Sequence, residues 1–322
     1  MRKNKCYFAL VPLLAAFAVS CGKSSSGETP FDPVVRVAPE VAPQTRGSYT
    51  TENLNEFDLF IHSENSRYSY TNTKFTKNAS GEWEPARQML WEGKGKGFKF
   101  LAVAPPLPKR DVALALTGDI FEFMVESVQT AESKASDLLW AGQGMTNDIT
   151  PSDEKYFAGG KLKFKFGHAL TLLKVQLTLG TELNHGGVPE NNPISELKIS
   201  GFKPKAKVGY GSLNSSGDPG EIQAYQSAWK KAEDKNHNCV ATFECIVIPQ
   251  GMDKFTVDFV CGGKPYTYTA TLTKNGSSFS FMGGQAYTLP LTVGKDEVIM
   301  SSDITAESWK PGNGEGETLE TD

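Results

Sequence analysis

Lys161-Leu162-Lys163-Phe164-Lys165-Phe166 alternates charge and apolar bulk for six residues without a break. Successive side chains of an extended chain point to opposite faces, so the segment sets three lysines on one side and Leu-Phe-Phe on the other. That is a strand with one wet face and one buried face. The next run, Leu170 to Leu179, repeats the pattern. Leu173, Val175, Leu177 and Leu179 share one face, with Lys174, Gln176 and Thr178 opposite. The same period recurs in Tyr266 to Thr273, where Asn275-Gly276 follows as a tight-turn pair.

Working outward, the chain reads as strand after strand. Phe57–His62, Tyr68–Thr71, Phe98–Ala104, Phe121–Val128, Ile194–Phe202, Phe279–Phe281 and Tyr287–Val293 are short and rich in aromatic or β-branched residues. Gly, Pro, Asn or Ser bounds them. Asp137 to Ala141 is a compact apolar anchor before a polar loop, 143–155. The only helical signal is weak, from Tyr225 to Asp234. The expectation is an all-β chain of short strands, arranged as sandwiches or barrels.

Val240–Ile248 and Phe255–Val260 flank Pro249-Gln250-Gly251-Met252-Asp253 and read as a hairpin. A turn near Gly251 puts Cys239, Cys245 and Cys261 on one face. Diagonal neighbours in an antiparallel pair approach closely enough to interact. Two readings stay open: a Cys239–Cys261 disulfide, or three buried free thiols acting as small hydrophobes. The spacing lacks the CxxC pairs of a zinc site, and the chain is not a disulfide-dense scaffold.

The N-terminus carries an address. Arg2, Lys3 and Lys5 precede an apolar run from Tyr7 to Val19, which ends Ala18-Val19-Ser20-Cys21-Gly22. A basic start, a short apolar stretch and small residues before a break make a secretory signal, residues 1–20. The run falls short of the ~20 apolar residues of a membrane span. Cys21 sits where a lipobox places the cysteine that takes lipid, though Ala18 stands where that pattern more often has Leu. The alternative is an ordinary signal peptide. Loss of Arg2, Lys3 and Lys5 takes the formal charge from −4 to −7. A mildly acidic mature chain argues against a nucleic-acid partner and against a polybasic membrane patch. Membrane attachment is therefore expected through lipid on Cys21.

Catalytic patterns are missing from the sequence. His62, His168, His185 and His237 lie in no HExxH motif or metal spacing. His168 reads as a packed or edge residue. There is no GxSxG elbow. Gly93-Lys94-Gly95-Lys96-Gly97 leads into a strand and lacks the helix N-terminus of a phosphate cradle. Glu82 and Glu84 are an acidic pair of a kind expected by chance among 37 acids. Trp83, Trp91 and Tyr68 are aromatic residues that stack on a sugar if exposed and fill a core if not. No catalytic residue, metal site or cofactor is expected.

Several segments together resemble the bacterial fimbrillin-like family, the lipoprotein subunits of type V pili. They are the Cys21 lipobox, Thr45-Arg46-Gly47, Trp91 with Phe98–Ala104, Ser136-Asp137-Leu138-Leu139-Trp140-Ala141, Phe166-Gly167-His168-Ala169-Leu170, Gln285-Ala286-Tyr287-Thr288-Leu289 and Trp309. The resemblance implies two tandem transthyretin-like β-sandwich domains, at 48–155 and 156–312, after a lipidated linker at 21–47. Residues 313–322, rich in Gly, Glu, Thr and Asp, are expected to form a disordered tail. It also implies export to the outer surface on a lipid anchor, then cleavage by an arginine-specific protease. The cut falls after Arg46, leaving Gly47 as the new terminus; Arg36 is a second candidate. The segment removed carries Val34, Val35, Val37 and Val41, a pattern that suits a strand filling a groove, and otherwise an ordinary linker. The groove then accepts a strand from another fimbrial subunit, with main-chain hydrogen bonds giving affinity and alternate side chains giving register. The role so implied is a non-enzymatic pilus subunit or pilus-associated adhesin with a host or bacterial surface ligand. The alternative is a surface glycan-binding lipoprotein.

Overall fold

The computed structural model describes residues 31–42, 49–132, 134–184, 186–272 and 278–309. Cys21, Arg46, Gly47, Asn275-Gly276 and the tail beyond Trp309 therefore lie outside the described residues. From Pro33 onward the chain forms one unit. Its first strands are β1 (Arg36–Val41), β2 (Glu56–His62), β3 (Tyr70–Lys77), β4 (Trp83–Pro85), β5 (Lys99–Ala104), β6 (Asp119–Met124), β7 (Leu139–Ala141), β8 (Phe157–Ala158) and β9 (Lys161–His168). Then follow β10 (Thr171–Leu179), β11 (Ile194–Ser200), β12 (Lys205–Gly209), β13 (Leu213–Ser216), β14 (Glu221–Gln223), β15 (Tyr225–Lys230) and β16 (Cys239–Val247). The last are β17 (Gly251–Met252), β18 (Lys254–Cys261), β19 (Lys264–Thr271), β20 (Phe279–Ser280), β21 (Gln285–Val293), β22 (Val298–Met300) and β23 (Thr305–Ser308). The described helical segments are three short 3₁₀ turns. The protein is all-β.

One sheet runs β1-β9-β7-β5-β2-β3-β4, with β8 also on β9. A second runs β15-β16-β10-β21-β22, with β23 on β21. A third runs β14-β11-β18-β19, and smaller sheets join β13-β12-β6 and β17-β20. Two pairs are parallel among the described strands, β1 with β9 and β10 with β21. The alternation predicted at 161–166 holds, with Leu162 and Phe166 fully buried and Lys163 and Lys165 exposed. In β10 the face of Leu173, Val175, Leu177 and Leu179 is at most 1% exposed.

The apolar interior forms two clusters. One gathers Phe57, Leu59, Ile61, Phe75, Phe100, Leu162 and Phe166 with valines of β1. The other joins β10, β16, β18 and β21, and also takes Phe60, Leu101 and Val103. β2 and β5 thus feed both clusters from their two faces. This is why β2 reads as a nearly continuous apolar run in sequence rather than as a clean alternation.

Two local expectations change, and one sheet takes strands from both halves of the chain. β16 and β18 do not pair with each other: β16 lies between β10 and β15, and β18 between β11 and β19. The residues between them cross from one sheet to another. Cys239 and Cys261 therefore sit in different sheets, and Cys239, Cys245 and Cys261 are free and buried. Residues 225–230 are strand β15, because pairing with β16 overrides a weak helical period. Finally, β9 joins the sheet of the first half through β1 and β7, while β6 pairs forward with β12. Sheet boundaries do not follow a division at 155/156.

One edge is closed by a side chain. β15 ends its pairing on β16 at Tyr225–Glu244. Two residues further on, the Gln129 amide Nε2 donates to the Ile246 carbonyl at 2.8 Å and its Oε1 accepts from the Ile246 N–H at 2.7 Å. Gln129 is 4% exposed.

Candidate functional site

β1 is a strand of period two. Val35, Val37, Pro39 and Val41 are buried, whereas Arg36 and Glu40 are exposed. Val34 is only half-buried, on the other face, where it bridges Leu90. β-branched valines suit a pleated, half-buried surface. Pro39 lacks an N–H, and edge strands are where a sheet tolerates that loss. The neighbouring bonds are made: the Val35 N–H donates to Met89 O at 3.0 Å, Trp91 N–H to Pro33 O at 2.7 Å, and Ala42 N–H to Phe166 O at 2.9 Å. The Thr51 hydroxyl accepts from the Val41 N–H at 3.0 Å.

The inward face of β1 covers an aromatic floor. Phe57 meets Phe75, Trp83, Phe164 and Phe166 with ring centroids 4.9–5.7 Å apart. Val35, Val37 and Val41 belong to the same cluster. Full burial of one such side chain contributes about 1.5–3 kcal/mol relative to exposure. Without β1, Leu162 and Phe166 would line an apolar groove along β9. The outward face is different. The ladder sets Arg36 beside Lys161, Ala38 beside Lys163 and Glu40 beside Lys165. Lys165 Nζ lies 4.0 Å from Glu40, and Lys161 Nζ is 2.8 Å from Glu82. The hydrogen bond and charge of Lys161, with a smaller contribution from Arg36, hold the Glu82 carboxyl below its usual range.

β1 is followed by 43–48, which hold Arg46 and Gly47 and lie outside the described residues. The chain is buried again at Tyr49, 6% exposed. Burial, then the Asp137 and Glu56 carboxylates, push the Tyr49 phenol above its ordinary value.

Asp137 belongs to a second constellation that sequence reading left scattered. His168 Nδ1 lies 2.6 Å from Asp137 Oδ1, with both side chains essentially inaccessible. The His168 ring stacks on Trp309, centroids 3.9 Å apart and planes within 17°. The Trp309 N–H donates to Gly284 O at 2.8 Å. Three motif segments far apart in sequence thus meet, and they fasten the last described residue to the end of β9. His168 is packed.

The remaining candidates separate. Trp91 is buried, stacked on Phe98 at 4.5 Å and edge-on to Phe157. Trp83 and Tyr68 are half-buried. Glu82 is bridged to Lys161, and Glu84 accepts from Asn78 at 2.7 Å. His237 is exposed and bonded to Asp234. Among the described residues no three His, Cys, Asp or Glu side chains gather as metal ligands. No described helix is long and apolar enough to cross a membrane.

Solved structures are similar to this chain in fold. A crystal structure of a candidate cell adhesion protein from Bacteroides uniformis ATCC 8492 superposes with TM-score 0.57 at 18% identity, covering 88% of this chain and 100% of that one. The fimbrial anchor protein Mfa2 from Porphyromonas gingivalis is similar with TM-score 0.42 at 10% identity, covering 86% of this chain and 98% of that one. The tip fimbrial protein Mfa3 from the same organism gives TM-score 0.47 at 9% identity, covering 86% and 100%. No curated protein matches the sequence. The family model described as fimbrillin-like matches residues 45–309. That match takes in Asp137, His168 and Trp309 and begins one residue before Arg46, and by it the chain belongs to the fimbrillin-like family.

Proposed function

We propose that this chain is a lipid-exported, cell-surface fimbrial subunit or pilus-associated adhesin that acquires a partner by exchanging β1 for a strand of another subunit. The observation that carries this reading is the position of β1. It is a short, parallel strand on the outside of its sheet, buried through alternate residues, and it lies just before Thr45-Arg46-Gly47. While the chain is intact, β1 is held at an effective concentration in the millimolar range for a short tether. Cleavage after Arg46 ends that advantage. β1 can then leave, and the edge of β9 is open to β-augmentation. The lipid on Cys21 leaves with the removed segment, so the same cut frees the subunit from the outer membrane.

The reading as a glycan-binding lipoprotein finds less support, since Trp91 is spent on the core. The acidic segment after Trp309, rich in glycine, has little to offer a groove lined by Leu162 and Phe166, and it makes a weak donor.

Outer membranes immunoblotted without heating, before and after limited arginine-specific proteolysis, test the proposal when combined with N-terminal sequencing. A new terminus at Gly47 and a heat-sensitive ladder are expected. A single lipidated band that stays intact at Arg46 would remove strand exchange from consideration.

A further inference from the structure

The groove beside β9 presents charge as well as an apolar floor. The inward requirement is simple: four alternate positions, held by Val35, Val37, Pro39 and Val41, meet an apolar floor. The outward requirement comes from Lys161, Lys163 and Lys165, three ammonium groups spaced by two residues along β9. Lys161 is already engaged by Glu82. Beside Lys163 the resident strand offers Ala38, which has no acceptor. Beside Lys165 it offers Glu40, at the limit of ion-pair distance. Opposite charges directly across a strand pair stabilise it, and like charges destabilise it.

We infer that this groove takes as its partner an extended strand with small branched aliphatic residues at alternate positions and carboxylates at the two outward positions beside Lys163 and Lys165. Such a strand outcompetes β1, whose own outward face supplies one carboxylate where the groove accommodates two. This inference rests on the strand-exchange reading above. It adds a direction to exchange, since the displaced strand is the weaker match. Because the lysines recur every second residue, the charge preference does not depend on the direction of the incoming strand.

The test uses the full chain cut after Arg46 and three labelled peptides. One has the native sequence 32–42, one carries Ala38→Glu, and one carries Ala38→Lys with Glu40→Lys. At low salt the Ala38→Glu peptide should bind about two- to five-fold more tightly than the native sequence, and the dilysine peptide should bind more weakly than both. The spread should collapse near ~0.5 M salt, where exposed charges are screened. On a chain carrying Lys163→Glu the Ala38→Glu peptide should bind more weakly than the native sequence. Equal binding of the three peptides, with β1 released, would overturn the charge preference and leave exchange standing. Retention of β1 with no peptide taken up would overturn exchange itself. The uncut chain supplies an independent readout. Ala38→Glu in place should slow amide exchange across 36–41 by about two-fold or more. An unchanged rate there overturns the charge preference even if no peptide enters.

Discussion

The molecule contains the same local arrangement twice, in two different settings. β1 with β9 and β10 with β21 are the two parallel ladders among the described strands, and each contains a proline, Pro39 in one and Pro290 in the other. β10 is flanked by β16 and β21, and β21 carries β22 and β23 on its far side. Pro290 falls between the stretches paired with those two short strands, and its carbonyl still accepts from the Ser301 N–H at 3.0 Å. Among the described strands β1 has one ladder neighbour, β9; its other side carries the Thr51 hydroxyl on the Val41 N–H and, just before the strand, the Val34–Leu90 bridge with its bonds from Val35 to Met89 and from Trp91 to Pro33. Proline is absorbed in both places, but only the outer one can be withdrawn without breaking ladders on two sides. On the proposed reading, exchangeability follows from position in the sheet and not from parallel pairing.

The sharpest way to break that comparison is to damage each ladder alone. Leu177→Ala, in the fully buried face of β10, should cost about 2–5 kcal/mol and lower the denaturant midpoint of the whole chain as one transition. Val37→Ala removes two methyl groups, worth about 1–2 kcal/mol at the usual value per buried carbon. It should abolish hydrogen-exchange protection across 36–41 while moving the global midpoint much less. Comparable falls in midpoint for both variants would make β1 part of the cooperative core. A third measurement asks whether withdrawal of β1 disturbs the centre. Cys245, beside Leu173 on β10, is buried and its thiol is pushed up to about 12 by burial and by Glu244. Thiol labelling should stay negligible after cutting at Arg46 and appear only with global unfolding. Rapid labelling of the cut chain would show that the two ladders are coupled. The smallest effect is electrostatic. The lowered Glu82 carboxyl favours the folded state above its ordinary pKa, and the contribution disappears as pH falls through the lowered value. Amide exchange at 36–41, corrected for its intrinsic rate, should be modestly faster at about pH 3 than at about pH 6, with β10 and β21 unchanged.

What could be read from the chain before its structure follows the same contrast. β9 and β10 announced themselves because one face of each is wet or half-wet, so period two is written in the residues. β2 and β5 also stood out as strands, though burial on both faces hid which cluster each residue joins. The supposed hairpin over 239–261 failed because periodicity gives the face of a strand but not its neighbour. Pro249 and Gly251 can end one strand and start another in a different sheet as readily as turn a hairpin. The 225–230 strand was obscured because its residues are mostly half-buried and lack a clean alternation. In the candidate site, Val35, Val37 and Val41 were legible as an apolar run that suits a buried strand face, and they are buried; Val34 was not separable from them without a register. The meeting of Asp137, His168 and Trp309 had no local signal, since its members are separated by 31 and 141 positions.

The Gln129 amide has a consequence for the geometry of any polymer. A subunit that adds neighbours through strand edges forms a linear fibre only if the number of recruiting edges is controlled, because each surplus edge is a branch point. By occupying both hydrogen-bonding groups of Ile246, the Gln129 side chain acts as a one-residue strand that cannot be extended. On the strand-exchange reading it limits valency: the edge beside β9 is left to exchange, and a stretch of edge that would compete with it is retired.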